Sequence, residues 1–300
     1  MDYKKIIPNQ AIRFYILRIL SFLPDKIMLT LQYFIKMGKI CNFKSPTTWS
    51  EKLQLYKMKY RNPLLGICVD KYKVRGYIEE KGLADCLVQL YGVYSNAGEI
   101  DFDTLPSQFV LKTTDGGGGN NVILVKDKSL LDVDSLRKCL NSWINIKDIN
   151  AGREWAYTQI EKSQIIAEEL LVNSRCPEAG VEDFKILCFH GEPKYVIVDK
   201  DRYIDHKRNI YDIDWNRIDV TTDHSSFDTL YEKPDNLEQM LAISKLLSQD
   251  FPFVRVDLYN VDGHIYFGEL TFYPWSGYVK FDPLSFDMHL GSLLNEKTFS

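Results

Sequence analysis

A predicted β-hairpin at residues 253–272 constrains the fold of this chain more than any other segment. Two runs rich in β-branched and aromatic residues, 253–259 and 264–272, flank the tetrapeptide Asn260-Val-Asp-Gly263. An Asn-x-Asp-Gly segment between such runs is typical of a hairpin built on a type I turn, with Gly263 in a left-handed conformation. We therefore predict two adjacent antiparallel strands here.

The turn length decides which side chains share a face of this hairpin. The type I turn gives three facing pairs: Asn260 with His264, Asp257 with Phe267, and Arg255 with Glu269. Because side chains alternate between the two faces of a strand, one face then carries four polar side chains: Arg255, Asp257, Glu269 and Thr271. A strict two-residue turn would instead put Asp257 and Glu269 on opposite faces, so the shared face depends on the register.

The polar face of this hairpin has the composition of a metal and phosphate site. Carboxylates and a hydroxyl are oxygen ligands of the kind that Mg²⁺ takes, usually with substrate phosphates completing the shell. We predict Asp257, Glu269 and Thr271 as metal ligands. The alternative is a solvated sheet face on which Arg255 and Glu269 form a cross-strand ion pair.

Four consecutive glycines, 116–119, lie between predicted strands at 108–114 and 121–126. Glycines allow close backbone approach and left-handed angles, so successive N–H groups can surround phosphate oxygens. The segment lacks the GK[ST] ending of a Walker A loop and precedes a strand, which favours a flexible flap over phosphates. Lys112, in the preceding strand, is within reach of such a phosphate. A glycine-rich hairpin without a ligand is the alternative.

Charge and cysteine usage limit the class of protein. The formal net charge of −4 argues against a general nucleic-acid-binding protein. The six cysteines include no CxxC pair and no histidine at metal-binding spacing, so they indicate buried thiols rather than disulfides or a zinc site. Because we find no signal peptide, we predict a cytoplasmic protein.

Residues 11–23 form an amphipathic pattern with Arg13 and Arg18 on the polar side. The segment is too short and too charged to span a bilayer. We predict a helix that packs onto its own domain. The alternative is a peripheral contact with the inner face of the cell membrane.

Helical and extended patterns follow one another irregularly, which predicts the α+β class. Further helices are predicted at 25–37, 50–60, 70–81, 129–145, 151–161 and 235–249. Further strands are predicted at 87–94, 164–172, 184–190, 194–199 and 210–215.

Seven segments occur in a specific order: Ser45-Pro-Thr-Thr-Trp-Ser-Glu-Lys-Leu, Arg61-Asn-Pro, Asp70-Lys-Tyr-Lys-Val-Arg, Phe109-Val-Leu-Lys with its glycine loop, Ile166-Ala-Glu-Glu-Leu-Leu, Asp183-Phe-Lys-Ile-Leu-Cys-Phe-His-Gly, and Arg255-Val-Asp-Leu-Tyr with Phe267-Gly-Glu-Leu-Thr-Phe-Tyr-Pro. Together they resemble the TupA-like branch of the ATP-grasp superfamily, found in bacterial polysaccharide gene clusters. The resemblance covers residues 40 to 285.

The resemblance implies an ATP-grasp fold, in which two α+β lobes sandwich ATP. It divides the chain into an N-terminal helical segment (1–60), an N-lobe with the glycine-rich flap (61–163) and a C-lobe with the Mg²⁺-binding hairpin (164–300). Two positions depart from the family pattern. Asp115-Gly-Gly-Gly replaces His-Gly-Ser-Gly at the flap, which leaves binding there to backbone amides, and Thr271 stands where much of the superfamily has Asn.

The resemblance also implies roles for individual residues. For the nucleotide, Lys71, Lys112 and Lys185 are expected to contact phosphates, and Gly116, Gly117, Gly118 and Gly119 are expected to form the flap over them. Glu168 and Glu169 are expected to form the hinge, where the backbone of Leu170 and Leu171 contacts the adenine edge. Asp183 is expected to bind the ribose hydroxyls. The roles for the chemistry are Asp257 and Glu269 on two Mg²⁺ ions, Arg255 on the transferred phosphoryl group, and Arg202 on a carboxylate or phosphate.

For an enzyme of this branch we expect ATP to phosphorylate a carboxylate and an amine to displace the phosphate. The expected substrates are a sugar acid and an amino acid or other amine, in a surface-polysaccharide pathway shared with other biosynthetic enzymes. One alternative is a glycosyltransferase of the same pathway, but the DxD pattern occurs at several places, Asp101, Asp199 and Asp212 among them, and therefore carries no information. Another is a non-catalytic nucleotide-binding or scaffolding protein.

Overall fold

The computed structural model describes residues 16–17, 19–117, 121–144, 152–173, 180–200, 206–227 and 231–299. In these residues the α-helices are α1 (Asp25–Met37), α2 (Trp49–Lys59), α3 (Leu64–Val69), α4 (Val74–Glu80), α5 (Val133–Ile144), α6 (Leu237–Ser248) and α7 (Leu284–Leu293). The strands are β1 (Leu90–Tyr94), β2 (Phe109–Thr113), β3 (Val122–Val125), β4 (Ile165–Glu168), β5 (Glu182–Phe189), β6 (Glu192–Lys200), β7 (Lys207–Asp212), β8 (Arg217–Ile218), β9 (Phe253–Val261) and β10 (His264–Thr271).

The strands form two antiparallel sheets. A four-stranded sheet has the order β1-β4-β2-β3, and a six-stranded sheet has the order β10-β9-β5-β6-β7-β8. We call them the small sheet and the large sheet. Antiparallel sheets mixed with separate helices confirm the predicted α+β class.

The large sheet has one apolar face and one charged face, which determines where the site lies. Alternate residues of β5 and β9, such as Phe184, Ile186 and Val256, belong to the larger hydrophobic core. Helix α6 packs on these strands and on β6. Because side chains alternate along a strand, the residues between them point to the opposite face. That face carries the charged side chains of the candidate site.

Helix α2 is buried in the same core. It begins at a capping box, in which Thr48 accepts a hydrogen bond from the N–H of Glu51 and the Glu51 side chain accepts one from the backbone of Thr48. Trp49 packs edge-on against Phe253 of β9, with ring centroids 5.4 Å apart. The small sheet has its own core, which includes Phe109 and Leu140.

Several element bounds differ from the sequence prediction. The helix predicted at 70–81 begins only at Val74, because the Asp70 carboxylate accepts hydrogen bonds of 2.9 Å from the N–H groups of Tyr72 and Lys73 and holds a turn there. The region predicted as a helix at 151–161 contains a 3₁₀ helix, Trp155–Gln159. The strand predicted at 164–172 ends at Glu168.

Helices α3 and α7 were not predicted. At six residues, α3 is too short to show a helical period. Of the helix predicted at 11–23, residues 11–15 and 18 lie outside the described residues, Ile16, Leu17 and Ile19 are helical as predicted, and Leu20–Phe22 forms a 3₁₀ helix. None of the helices in the described part of the chain has both the length and the apolar composition needed to cross a membrane.

Candidate functional site

The hairpin of β9 and β10 closes with a two-residue turn, so the predicted register is wrong. Val261 pairs with His264, and Asp262 and Gly263 form the turn. Both turn residues have positive φ, 52° and 85°. This is the geometry of a type I′ turn, whose twist matches that of the flanking strands better than a type I turn does.

A β-bulge at Gly268 nevertheless restores the shared polar face. The register shifts between Phe267 and Glu269, so that Glu269 pairs with Asp257. A side chain at position 268 would place its Cβ 2.9 Å from the carbonyl oxygen of Asp257, which is closer than such atoms approach. The bulge therefore requires glycine, and it compensates for the short turn.

Arg255 is the centre of the polar cluster on this face. Its Nε and Nη2 donate to the two carboxylate oxygens of Asp257, each over 2.6 Å. Nη2 also donates to Glu269 Oε1 over 3.2 Å and to Thr271 Oγ1 over 3.1 Å. The Thr271 hydroxyl in turn donates to Glu269 Oε1 over 3.1 Å. The four residues predicted to share one face therefore contact one another, although through a different register.

Burial and neighbouring charges shift the pKa values of these groups in different directions. Burial raises the pKa of Asp257 to about 7, against the opposing effects of Arg255 and Lys185. Burial also acts to raise the pKa of Glu269, but Lys71 and Arg255 outweigh it and lower that pKa. Burial acts to lower the pKa of Arg255, and Asp257 outweighs it and raises that pKa. Arg255 therefore stays charged.

The charged face continues across the large sheet. Lys185 of β5 pairs directly with Asp257 of β9, and Asp183 of β5 pairs with Asp199 of β6. Lys185 forms ion pairs with Asp183 and, over 3.1 Å, with Asp199. Arg208 of β7 donates from Nε to Asp199 over 2.6 Å. Acidic and basic side chains thus alternate from β9 to β7.

The small sheet contributes a second set of charged groups. Lys112 of β2 forms an ion pair of 2.5 Å with Glu168 of β4, and Arg75 of α4 contacts the same carboxylate at 3.5 Å. Lys71 donates to the carbonyl oxygen of Gly116 at the start of the glycine run. Burial lowers the pKa of Lys71, although Glu269 opposes this effect.

A narrow cleft joins the two sets. It is lined by groups from the small sheet, from α4 and its preceding turn, and from the bulge of β10: Lys71, Val74, Arg75, Leu87, Val88, Lys112, Glu168, Phe267 and Gly268. The structure therefore brings the lysines of the glycine-loop region to the edge of the hairpin that carries the carboxylates.

The remaining predicted residues are placed as follows. The N–H of Glu169 donates to Gln89 O over 2.9 Å, and partly buried Leu170 and Leu171 follow it. Gly117 is described, whereas Gly118, Gly119 and Arg202 lie outside the described residues. For all predicted site residues, the functional roles stay predictions.

Two residues of the charged face, Arg208 and Trp275, were missed by sequence reasoning. The Trp275 ring lies 5.0 Å from Cζ of Arg208 and 5.9 Å from Cζ of Arg255. Arg208 gives no local signal, because its partner Asp199 lies on the neighbouring strand. For Trp275 the available signal was the Pro-Trp-Ser-Gly run directly after β10, which is typical of an irregular loop.

The donors on the hairpin fit a hard divalent cation. Asp257, Glu269 and Thr271 offer only oxygen atoms, which Mg²⁺ prefers. No group of three or more His, Cys, Asp or Glu side chains in the described segments could hold a metal ion by itself. Two carboxylates and one hydroxyl fill only part of the coordination shell of Mg²⁺. The remaining positions of such a cation would be filled by phosphate oxygens and water.

Comparison with known families assigns the chain to the ATP-grasp class. A model of the family described as TupA-like ATPgrasp matches residues 51–295. The chain therefore belongs to the TupA-like ATP-grasp family. Among curated proteins, no sequence matches it.

Solved structures with a similar arrangement include several ligases. D-alanine–D-alanine ligase from Bacillus anthracis is 19% identical, with 68% of this chain and 57% of the ligase covered at a TM-score of 0.42. An N5-carboxyaminoimidazole ribonucleotide synthetase in its ADP complex is 19% identical, with coverage of 69% and 45% and a TM-score of 0.42. An L-amino acid ligase from Bacillus licheniformis is 14% identical, with coverage of 70% and 42% and a TM-score of 0.41. This chain spans about half the length of these structures.

Proposed function

We propose that this protein is an ATP-dependent carboxylate–amine ligase that acts through an acylphosphate. The observation that carries the proposal is the hairpin face, where one buried arginine joins two carboxylates and a hydroxyl at the edge of a lysine-lined cleft. Membership of the TupA-like ATP-grasp family supports it. We also propose the division into segments 1–60, 61–163 and 164–300.

In this proposal Asp257 and Glu269 hold Mg²⁺, with the hydroxyl of Thr271 as a further ligand. The bound metal would neutralise charge on the β- and γ-phosphates of ATP. Arg255 orients both carboxylates through its guanidinium, whose fork geometry holds Asp257 in a bidentate pair. The same guanidinium steadies the transferred phosphoryl group.

Lysines and backbone amides bind the triphosphate. Lys71 and Lys112 contact phosphates from the small-sheet side of the cleft, and Lys185 does so from the large sheet. The glycine run from Gly116 to Gly119 covers the phosphates with its N–H groups. In the structure, Lys112 is paired with Glu168, and Lys185 is paired with Asp183. ATP binding exchanges these partners for phosphate oxygens.

The other end of the nucleotide lies along the end of β4. Glu168 and Glu169 form the hinge, the backbone of Leu170 and Leu171 reads the adenine edge, and the Asp183 carboxylate binds the ribose hydroxyls. Arg202 grips the carboxylate substrate or its phosphate.

The chemistry follows from the poor reactivity of a carboxylate. Attack of a carboxylate oxygen on the γ-phosphorus releases ADP and converts that oxygen into part of a good leaving group. An amine nitrogen then attacks the carbonyl carbon, and phosphate leaves. The protein mainly positions the reactants and stabilises charge, which is how phosphoryl transfer is usually catalysed.

For the substrates we propose a sugar acid and an amino acid or other amine, joined during the biosynthesis of a bacterial surface polysaccharide. The protein would work in the cytoplasm beside the other enzymes of that pathway, with a peripheral membrane contact through residues 11–23 as the alternative to packing of that segment on its own domain.

Release of ADP tests this function. We expect ADP release from Mg-ATP only when both a uronate and an amine are present, in a panel of D-glucuronate and D-galacturonate against amino acids and ethanolamine. An amide should appear in the same samples by mass spectrometry. ADP release that needs neither substrate, or that needs a hydroxyl acceptor alone, would contradict the proposal.

A further inference from the structure

Two histidines stack on each other at the β7 side of the charged face. His206 directly precedes β7, and His224 lies in the chain beyond β8. Their ring centroids are 3.8 Å apart with the planes inclined by 33°. The side chains are 20% and 32% exposed, respectively, so the pair is anchored at the sheet and still reachable from solvent.

Two carboxylates and one arginine hold the histidine pair. The Nε2 atom of His206 lies 3.2 Å from Asp199 Oδ1, and the Nε2 atom of His224 lies 3.6 Å from Asp223 Oδ2. Arg208 connects the two carboxylates, since it donates to Asp199 over 2.6 Å and to Asp223 over 2.5 Å. The two histidine contacts lack hydrogen-bond geometry, and they place the rings beside the two carboxylates.

The histidine pair is connected to the proposed phosphoryl-transfer site through Trp275. The Trp275 ring contacts both Arg208, which holds the pair, and Arg255, which holds the metal carboxylates. Trp275 and Ser276 both have left-handed backbone angles, with φ of 49° and 55°. Non-glycine residues with such angles are strained and are found where the surrounding structure holds them in place. The loop therefore keeps Trp275 between the two arginines.

An amine substrate arrives in water as an ammonium ion and must lose a proton before its nitrogen can attack. We propose that the histidine pair is the amine subsite of this enzyme, and that His224 accepts the proton of the bound ammonium. Asp223, whose side chain is about half exposed, gives the subsite a carboxylate that a cationic amine can reach. The inference rests on the proposed ligase function and assigns the residues that serve its second substrate.

The proton balance of this step is complete. The ammonium N–H proton moves to an imidazole nitrogen of His224, which leaves a neutral amine and an imidazolium. The amine nitrogen forms a bond to the acyl carbon, and the bond from that carbon to the phosphate oxygen breaks. The departing phosphate takes the remaining excess proton from nitrogen, and His224 releases its own proton to solvent.

The groups around His224 keep its imidazole in the proton-accepting form near neutral pH. Burial lowers the pKa of His224, and the stacked His206 and the guanidinium of Arg208 act in the same direction. Asp223 and Asp199 oppose them and limit the decrease. Two stacked imidazoles also resist double protonation, because like charges at this distance repel each other.

Hydroxylamine separates the amine step from carboxylate activation. It is a nucleophile that is largely unprotonated at neutral pH, so it attacks an acylphosphate without needing a base. We compare ADP release from Mg-ATP with the uronate and amine that support turnover, and with the same uronate and hydroxylamine. For His224→Gln we expect about a 100-fold loss with the amine and less than a threefold loss with hydroxylamine.

The pH dependence of the rates is a second measurement, because a purely structural role of His224 would not change it. The defect of His224→Gln with the amine should shrink as pH rises, because more of the amine is then already neutral. For His206→Gln we expect the acidic limb of the pH profile to move to higher pH, since its ring lowers the pKa of His224. His264→Gln, at the far end of the hairpin, serves as the matched control with unchanged rates.

Equal losses with both nucleophiles, or no loss with the amine, would overturn the inference. A wild-type protein that releases no ADP even with uronate and hydroxylamine would instead overturn the proposed function, and the amine subsite would fall with it.

Discussion

At the residue scale, Asp257 occupies an unusual environment for a carboxylate. It is 3% exposed, and both of its oxygens accept hydrogen bonds from Arg255. A buried acid is retained when a cation compensates for its lost hydration, and here burial still raises its pKa to about 7. A bound Mg²⁺ ion would add positive charge next to this carboxylate and so stabilise its ionised form.

The first prediction concerns Asp257→Asn. We expect about 100-fold lower turnover, equivalent to about 3 kcal/mol of lost transition-state stabilisation, because a metal ligand is removed. In the wild type, Mg-ATP affinity should fall as pH decreases through about 7, since protonation of Asp257 removes the ligand charge. Calorimetric titrations at pH 6 and 8 measure this change.

Asp250→Asn is the matched control for Asp257→Asn. Asp250 pairs with Lys81 over 2.6 Å, and its side chain is 42% exposed. We expect Mg-ATP affinity and turnover close to wild type in this variant. A similar loss in both variants would argue against a specific role of Asp257.

The second prediction concerns Lys57, which is buried and donates to Gly152 O over 3.0 Å and to Ser276 O over 2.8 Å. Lys57→Met should lower the free energy of unfolding by about 1–3 kcal/mol, because buried carbonyl groups lose their donor. Urea denaturation measures the effect, and Lys52→Met, which removes an ammonium group donating to Leu294 O, gives a comparison within the same helix.

Lys57 also gives the wild type a pH dependence that Lys57→Met lacks. Burial lowers the pKa of Lys57 to about 7 in the folded protein, while the unfolded chain keeps the ordinary higher value. Between these values the unfolded state binds more protons, so the free energy of unfolding rises with pH. The difference in stability between wild type and Lys57→Met should therefore grow from pH 7 to pH 9. A constant difference would contradict the assignment.

At the element scale, the hairpin depends on two irregular features that act together. The two-residue turn at Asp262-Gly263 alone would separate Asp257 from Glu269, and the bulge at Gly268 brings them back to one face. The register of the proposed metal site is thus set by a turn and a bulge rather than by the strands alone.

The third prediction concerns Gly268→Ala. The new Cβ would meet Asp257 O at 2.9 Å, so the strand must shift. We expect a loss of about 1–3 kcal/mol in stability together with at least tenfold weaker Mg-ATP binding. Gly263→Ala is the control, because no atom would lie within 4 Å of the added Cβ. Only the positive φ of 85° at this position disfavours the substitution. It should cost about 1–2 kcal/mol and leave nucleotide affinity unchanged.

The contrast between these two variants tests the bulge directly. Equal nucleotide affinity in Gly268→Ala and Gly263→Ala would show that the position of Glu269 does not depend on the bulge.

The hairpin also shows what the sequence could predict. Two β-rich runs with polar residues at alternate positions predicted the elements and the shared face, because period-two alternation is local. The register was predicted wrongly, since Asn-x-Asp-Gly is compatible with two turn types. A lone glycine inside a strand signals a bulge, and Gly268 was that signal. Arg208 was not predicted, because it lies before the strand predicted at 210–215 and its pairing with Asp199 was therefore not visible in the pattern.

At the scale of the whole molecule, two sheets with separate cores meet at one cleft. The small sheet brings Lys112 and Glu168, and the large sheet brings the hairpin with Glu269. The family membership predicted from seven ordered segments is confirmed by the match over residues 51–295. The order of the segments carried this prediction, because each segment alone is too short to be specific.

The most direct test of the central claim is a calorimetric titration with a nonhydrolysable ATP analogue, in the presence and absence of Mg²⁺, and with a UDP-sugar for comparison. The account predicts Mg²⁺-dependent binding of the adenine nucleotide that weakens at least tenfold in Glu269→Gln and in Lys112→Met, with no competition from the UDP-sugar. Binding of the UDP-sugar in place of the adenine nucleotide, or equal affinities in wild type and both variants, would contradict it.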